Sequence, residues 1–226
     1  REVNYQGDNK YNNCTVTVSW TVIDKNTSQL NIDYIDIQYI EDTNSVSVTL
    51  FDTVNNTPIS GVSISDGTST QTTNNNGQAL FTYTNTVTGD ITKTYTYTGD
   101  SEYAGTTKTI TWTINKRFVD LTLSADKTTV EANKEVTFTG VLTDRRKNVG
   151  IGGATVLLVK PTTVIGGQDT VIASVTTDVD GSFSKSVTFS DVGGHTVMMK
   201  MPETDVYIGG NSESVVVNVI EPVVTP

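Results

Sequence analysis

The chain has 226 residues, with 25 acidic and 15 basic side chains and a formal net charge of −10. A chain this acidic, without a run of Lys or Arg, is not expected to bind nucleic acid, and no apolar run is long enough to cross a membrane. The sequence contains 41 Thr, 17 Ser and 18 Asn. Because Thr favours strands whereas Asn and Gly favour turns, this composition predicts an all-β protein.

The N-terminal segment is part of an internal repeat. Residues 5–22 read YQGDNKYNNCTVTVSWTV, and residues 97–114 read YTGDSEYAGTTKTITWTI. Eight residues match at a separation of 92 without a gap, which indicates a repeated unit. Since the second copy ends a complete unit, we predict that residues 1–23 are the terminal strand of a preceding or partner unit.

This terminal segment carries an apolar face that needs a partner. Val16, Val18 and Trp20 alternate with polar residues, and with Tyr11 they form a candidate assembly strand. One strand cannot bury a face alone. Three partners remain open: a neighbouring molecule, an edge of the next unit, or more of the same chain.

Residues 24–115 are predicted to form one unit and residues 116–221 a second, with residues 222–226 as a linker or terminus. Apolar side chains alternate with polar ones, for example at Val46, Val48 and Leu50. Turn signals such as Asn76-Gly77 separate the predicted strands, about seven in each unit. No segment shows the sustained 3.6-residue period of a helix.

A weaker third copy lies near the C-terminus. Residues 207–219 match the chain from Tyr103 onward at a separation of 104, and the turn at Gly77 matches Gly181 at the same separation. Residues further upstream match at 92. We therefore predict an insertion of 12 residues between Gly153 and Thr177.

These patterns predict the fold class. About seven short strands in roughly 100 residues, with regularly spaced turns, are typical of a Greek-key sandwich. We expect all-β, tandem Ig-like sandwiches with an extra N-terminal strand. Because few residues separate the units, we also expect a stiff rod.

Three motifs resemble bacterial-type immunoglobulin-like repeats of adhesin-like surface proteins from bacteria and archaea. They are TPISGVSI at 57–64, TTNNNG at 72–77 and YTGDSEYAGT at 97–106. In the second unit, residues 153–156 and 177–183 are also similar to the B-type stalk domain of collagen adhesins. The resemblance implies an extracellular, cell-surface stalk or binding array, and it implies no ligand.

The motif Tyr-x-Gly-Asp-x-x-Tyr has a structural interpretation. Gly99 would supply a positive φ and Asp100 would close the turn onto backbone amides. Tyr103 and Tyr207 are expected to be largely buried against the ends of their sandwiches. Trp112 is expected to be a core or inter-domain residue, with a carbohydrate platform as the alternative.

The metal candidates with a recognisable spacing are two carboxylates before a glycine, and Asp120 and Asp205 near the domain junctions are further candidates. Asp178 and Asp180 have the spacing found in calcium loops, but later ligands and a bidentate Glu do not follow. The corresponding turn in the first unit, residues 74–77, has no charge. A hairpin turn is the favoured interpretation, Ca²⁺ is the alternative, and no other cofactor is expected.

The sequence offers no catalytic constellation. His195 is the single imidazole, and it was expected in a turn after two glycines. No nucleophile motif, phosphate loop or dinucleotide fingerprint accompanies it. We therefore expect a protein that is not an enzyme.

Three functions from different classes remain. The first is the stalk of a cell-surface adhesin, the second a subunit of a pilus-like filament assembled through the N-terminal strand, and the third a tip module that binds carbohydrate or protein. The expected partners are other copies, adjacent repeats, or a host or cell-surface glycan or protein. The insertion around Pro161 to Thr170 is the predicted place for tip-specific recognition.

Overall fold

The computed structural model describes residues 1–20 and 24–222. The regular elements of this part of the chain are β-strands, and no helix within it could span a membrane. Contacts divide the chain into two compact units: the first comprises Arg1–Tyr34, Ser45–Thr82 and Thr92–Thr111, and the second comprises Ile35–Asn44, Tyr83–Ile91 and Trp112–Pro226. Each unit draws on discontinuous stretches, and the boundary between residues 115 and 116 stays a prediction.

Residues 1–20 form an antiparallel hairpin of two strands, β1 (Glu2–Tyr5) and β2 (Cys14–Thr17). Val3 lies opposite Val16 in this hairpin. The sequence predicts one terminal strand here, and the structure adds a second because residues 2–5 pair with it. Both strands are exposed along their whole length. Residues 21–23 of the predicted segment, and residues 223–226 of the predicted terminus, lie outside the described residues.

The first sandwich lies within residues 24–115. Its strands are β3 (Ser28–Asp33), β4 (Ile37–Tyr39), β5 (Thr43–Asp52), β6 (Thr57–Pro58), β7 (Ser63–Ser65), β8 (Thr70–Thr72), β9 (Gln78–Thr84), β10 (Gly89–Gly99) and β11 (Ala104–Asn115). In one sheet β3, β6 and β9 pair with β5, and the other sheet has the order β4-β11-β10-β7-β8. β4 runs parallel to β11, with Ile37 opposite Thr113.

The core of the first sandwich follows the alternation in the sequence. Val46, Val48 and Leu50 of β5 have no exposed surface, because every second side chain of a strand points to the same face. Phe81 of β9 packs edge-on against Tyr95 of β10, with ring centroids 5.1 Å apart. The two sheets thus meet through buried apolar side chains that include an aromatic pair.

The second sandwich lies within residues 116–221. Its strands are β12 (Val119–Leu121), β13 (Ser124–Ala125), β14 (Thr129–Glu131), β15 (Glu135–Asp144), β16 (Val149–Gly150), β17 (Thr155–Lys160), β18 (Thr170–Thr176), β19 (Ser182–Thr188), β20 (Gly193–Met201), β21 (Gly210–Asn211) and β22 (Val215–Ile220). β12, β13, β16 and β19 pair with β15. The other sheet has the order β14-β22-β20-β17-β18, and β14 runs parallel to β22.

The core of the second sandwich is one apolar cluster between these two sheets. Val136, Phe138, Leu158, Val197 and Val217 are among its fully buried members. They come from β15 and from three strands of the opposite sheet, so both sheets contribute to the same cluster. This is the arrangement of a β-sandwich.

Both sandwiches share one Ig-like Greek-key topology, as the sequence predicts. A long strand in one sheet (β5 or β15) is followed by strands of the other sheet, and the chain then returns to it through β9 or β19. The first strand of each sandwich is divided, into β3 and β4 in the first and into β12, β13 and β14 in the second. If each first strand counts once and the two-residue strands β6, β16 and β21 are set aside, each sandwich has seven principal strands. The insertion lies between β17 and β18. The hairpin of these two strands is therefore longer than the corresponding hairpin of β7 and β8 in the first sandwich.

Candidate functional site: a repeated turn and an uncovered hairpin

The turn between β10 and β11 is built on the Tyr-x-Gly-Asp-x-x-Tyr motif. Asp100 Oδ1 accepts hydrogen bonds from the amides of Glu102 and Tyr103, both at 2.8 Å. Tyr97 Oη donates to Asp100 Oδ2 at 2.7 Å, and Gly99 has a φ of 81°. The bond from the Tyr103 amide, followed by those from Tyr97 and Glu102, lowers the pKa of Asp100. The ionised carboxylate therefore holds the turn closed.

The N-terminal hairpin contains the same turn. Asp8 Oδ1 accepts hydrogen bonds from the amides of Lys10 (2.8 Å) and Tyr11 (2.7 Å), and Tyr5 Oη donates to Asp8 Oδ2 at 2.7 Å. Gly7 has a φ of 81°, the same as its counterpart. The repeat at a separation of 92 thus extends from the sequence to the hydrogen bonds.

The candidate assembly strand is placed differently from the prediction. Tyr11 lies in the turn rather than on a strand, because its amide is bound by Asp8. Val16 lies on β2, whereas Val18 and Trp20 follow the last residue of that strand. Cys14, at the start of β2, is exposed.

The second sandwich uses a hydroxyl where the other two turns use a carboxylate. Thr204 stands at the position of Asp100, and its Oγ1 accepts hydrogen bonds from the amides of Val206 (3.3 Å) and Tyr207 (2.9 Å). Met201 replaces Tyr97 and is 2% exposed. Met201 has no hydroxyl that could donate to a carboxylate. The replacement of Asp100 by Thr204 is therefore consistent with the replacement of Tyr97 by Met201.

Tyr103 and Tyr207 are half-buried, and Tyr207 packs against the core cluster of the second sandwich. Tyr207 Oη donates to Asp144 Oδ2 at 3.3 Å. Burial, with the charges of Glu102 and Asp52 among the further causes, raises the pKa of Tyr103.

Two buried acids that the sequence analysis missed close the turns after β5 and β15. Asp52 Oδ1 accepts hydrogen bonds from the amides of Val54 (2.8 Å) and Asn55 (3.1 Å). Asp144, 92 positions later, holds the two amides that follow Arg145 in the same way, at 2.9 and 3.0 Å. Burial opposes ionisation of Asp52, but its hydrogen bonds outweigh burial and lower its pKa. The repeat separation was the signal that could have found this pair.

Arg117 is a third buried residue that the sequence did not indicate. Its side chain is 1% exposed and lies entirely within the second compact unit. Nη1 is 3.1 Å from Glu41 Oε2 and 3.4 Å from Asp144 Oδ2, and Nη2 is 3.0 Å from Asp42 Oδ1. Its partners lie up to 76 residues away, and in the first sandwich Asn26 pairs with Tyr103 as Arg117 pairs with Tyr207. Neither motif nor repeat could therefore have indicated it.

Trp112 is a core residue of β11. It is 1% exposed, and its ring centroid lies 5.4 Å from that of Tyr83. Its repeat counterpart Trp20 is 67% exposed. The same residue type at the same repeat position is thus buried in one copy and open in the other.

Asp178 and Asp180 lie in the turn between β18 and β19. The Gly181 amide donates to Asp178 O at 2.8 Å, as the Gly77 amide does to Asn74 O at 2.8 Å. Asp180 Oδ1 accepts a hydrogen bond from Ser182 Oγ at 2.6 Å. The arrangement is that of a hairpin turn, and no three metal-binding side chains gather anywhere among the described residues.

His195 lies in β20 rather than in a turn. It is 8% exposed, its ring lies 4.7 Å from that of Phe189, and Nε2 is 2.6 Å from Asp191 O. The two glycines form the start of β20 rather than a turn, because both pair with β22. The histidine is therefore packed as a core side chain.

The loop between β17 and β18 presents apolar side chains to solvent. Val164 is 69% exposed and Ile165 is fully exposed. Gly166, with a φ of 76°, follows them at the apex. This loop is the part of the insertion for which the sequence predicts recognition.

Comparisons with known proteins find similar folds at low identity. No family model and no curated protein matches the sequence. Among solved structures, the chain is similar to FdeC, an Escherichia coli adhesin, with 19% identity over 92% of this chain and 69% of that one, at a TM-score of 0.37. InvE, an adhesin of Yersinia pseudotuberculosis, has 20% identity over 85% and 59%, at 0.37. Invasin, a bacterial integrin-binding protein, has 23% identity over 86% and 40%, at 0.45.

These likenesses are too remote to assign a function. The chain spans less than two thirds of the length of InvE and of invasin. The fold assignment rests on strand order and pairing within this chain.

Proposed function

We propose that this chain is a non-enzymatic, extracellular segment of a cell-surface adhesin, in which repeated Ig-like sandwiches form a stalk. The observation that carries the proposal is the turn at Gly7, Gly99 and residues 201–207, which recurs three times in register. Repeats that differ mainly on their surfaces provide reach without requiring a cleft for chemistry. The Thr-rich composition and the adhesin-like repeat motifs support the same function.

The location is tested with antibodies raised against residues 161–169, whose apolar side chains at 164 and 165 are exposed. Intact source cells should be labelled, and brief external proteolysis should release the signal. Labelling that appears only after the cells are permeabilised would contradict the proposal.

A tip module is the alternative favoured by one specific observation, the exposed Val164 and Ile165. Beads coated with the chain separate the two functions. A stalk segment should leave the beads without affinity for host cells or glycans. A tip module should bind, and Ile165→Asp should abolish that binding because it places a charge at the apex of the loop.

A filament assembled through the N-terminal segment is the remaining alternative. It requires β1 and β2 to join a neighbouring molecule, and the exposed face of the hairpin is the feature that favours it. Light scattering before and after deletion of residues 1–23 tests this function. Loss of a polymer on deletion would support a filament, and an unchanged monomer would support a stalk.

A further inference from the structure

The inner face of the N-terminal hairpin is uncovered at positions that are core in the first sandwich. Val3 is 61% exposed, Tyr5 44%, Val18 48% and Trp20 67%. The residues 92 positions later are Tyr95, Tyr97, Ile110 and Trp112, which are 0%, 3%, 7% and 1% exposed. The face retains its apolar side chains, and only its covering differs.

The first sandwich shows what covers such a face. Phe81 packs on Tyr95 and Tyr83 packs on Trp112, and both come from β9 of the opposite sheet. At the edges, β10 pairs with β7 and β11 pairs with β4. Among the described residues, β1 and β2 pair only with each other. The hairpin is thus without a facing sheet and without neighbours on both edges.

The hairpin is already organised for that covering. Its turn has the hydrogen bonds and the positive φ found between β10 and β11, and Val3 already lies opposite Val16. A partner therefore has to supply only a facing sheet and two edge strands. A chain segment without apolar, alternating strands would satisfy neither requirement.

We propose that this face is the docking surface for an Ig-like sandwich that lacks its own last hairpin, with strands equivalent to residues 24–92. The inference rests on the proposed run of repeats and identifies the partner of the hairpin. In the first sandwich the covering strands β4, β7 and β9 precede the hairpin in the sequence, so the partner is a segment that supplies equivalents of these three strands.

A second copy of the chain does not provide such a partner. In each copy β10 and β11 already complete the first sandwich, and β20 and β22 complete the second. Neither sandwich has a vacant place for another hairpin. Two hairpins packed face to face are the other occupant that the experiment below addresses.

The repeat register specifies the test. Residue 1 corresponds to residue 93, so residues 24–92 placed directly before Arg1 of the full chain should reconstitute a sandwich around β1 and β2. This extension contains no Trp. The emission of Trp20 should shift to shorter wavelength, and its quenching by acrylamide should fall to that of Trp112.

Two controls accompany the extended chain. Trp20→Phe in the extended chain isolates the signal of Trp112, which should not change on extension. The same extension carrying Val48→Asp, which places a charge in its core, should leave Trp20 exposed. A second extension made from residues 116–196, the matching part of the second sandwich, should also bury Trp20 and serves if the first does not fold.

The proposal is overturned if neither extension buries Trp20. It is also overturned if raising the concentration of the unextended chain both buries Trp20 and doubles the molecular mass. The segment that covers the hairpin is then a second copy of the chain. These outcomes are independent of cell labelling. Trp20 can become buried in a chain that is not on the cell surface, so failure of the proposed function is separately detectable.

Discussion

Glycine 99 permits the tight turn for two separate reasons, its conformation and the space around it. Its φ is 81°, and a Cβ would lie 2.6 Å from Gly105 N and 2.8 Å from Tyr103 O. Gly67 is a matched control, since its φ is 86° but nothing lies within 4 Å of the added Cβ. The pair separates backbone strain from steric clash.

We expect Gly67→Ala to cost about 1–2 kcal/mol of unfolding free energy, the cost of a left-handed conformation. Gly99→Ala should cost about 1–3 kcal/mol more, because backbone atoms have to move. Urea denaturation followed by circular dichroism measures both. Equal losses would mean that the close approach at Gly99 does not matter.

Asp100 links the same turn to pH. Its pKa is lowered from the ordinary 3.8 by the bonds from Tyr103, Tyr97 and Glu102. The ionised form therefore stabilises the folded chain fully above the unfolded-state pKa, and this contribution is lost as pH falls through 3.8 and below. Thermal melts between pH 6 and 2 should show a smaller loss for Asp100→Asn than for the unchanged chain. Identical pH profiles for Asp100→Asn and the unchanged chain would contradict the role of Asp100.

Arg117 is held by three carboxylates, and its removal takes away the cation beside the buried Asp144, whereas Asp42 keeps Arg146 Nη2 at 3.1 Å. Asp144 is 1% exposed at its side chain, and Asp42 is 17% exposed. We expect Arg117→Met to cost about 3–5 kcal/mol, as for other broken buried pairs. Arg145, 59% exposed and paired with Asp120, is the control and should cost at most about 1 kcal/mol when changed to Met. Similar losses of unfolding free energy for the two variants in urea titrations would show that burial of the Arg117 ion pairs does not add to stability.

At the scale of the elements, the last hairpin of the first sandwich and the N-terminal hairpin differ in covering and not in turn chemistry. Trp112→Ala should therefore cost about 3–5 kcal/mol, since it empties a packed core position. Trp20→Ala should change stability by no more than about 0.5 kcal/mol, as for other exposed positions. Denaturation of the two variants, followed by circular dichroism, tests this difference, and a large loss for Trp20→Ala would mean that the hairpin face is already covered.

The strands and turns were the predictable part of this structure. The alternation at Val46, Val48 and Leu50 predicts a buried face, and the constant separations of 92 and 104 place equivalent turns in both sandwiches. Arg117 could not be predicted, because an ion pair between distant residues leaves no local pattern. The hydrogen bond from Tyr207 to Asp144 joins residues 63 positions apart, and strand alternation gives no indication of such a contact.

The molecule as a whole consists of two Ig-like sandwiches and one further hairpin that lacks covering strands among the described residues. Stability should therefore be uneven along the chain, because amides in packed strands exchange only on large openings whereas those of an uncovered hairpin exchange on small ones. Repeat position alone would predict the same protection for β2 and β11, and packing predicts a difference.

Residue-resolved amide hydrogen exchange on the monomeric 226-residue chain tests this claim most directly. The account predicts slow exchange for the amides of β11 around Ile110 and Trp112, and fast exchange for those of β2 around Val16, despite their matching positions in the repeat. Equal, slow exchange in both strands of the monomer would contradict it.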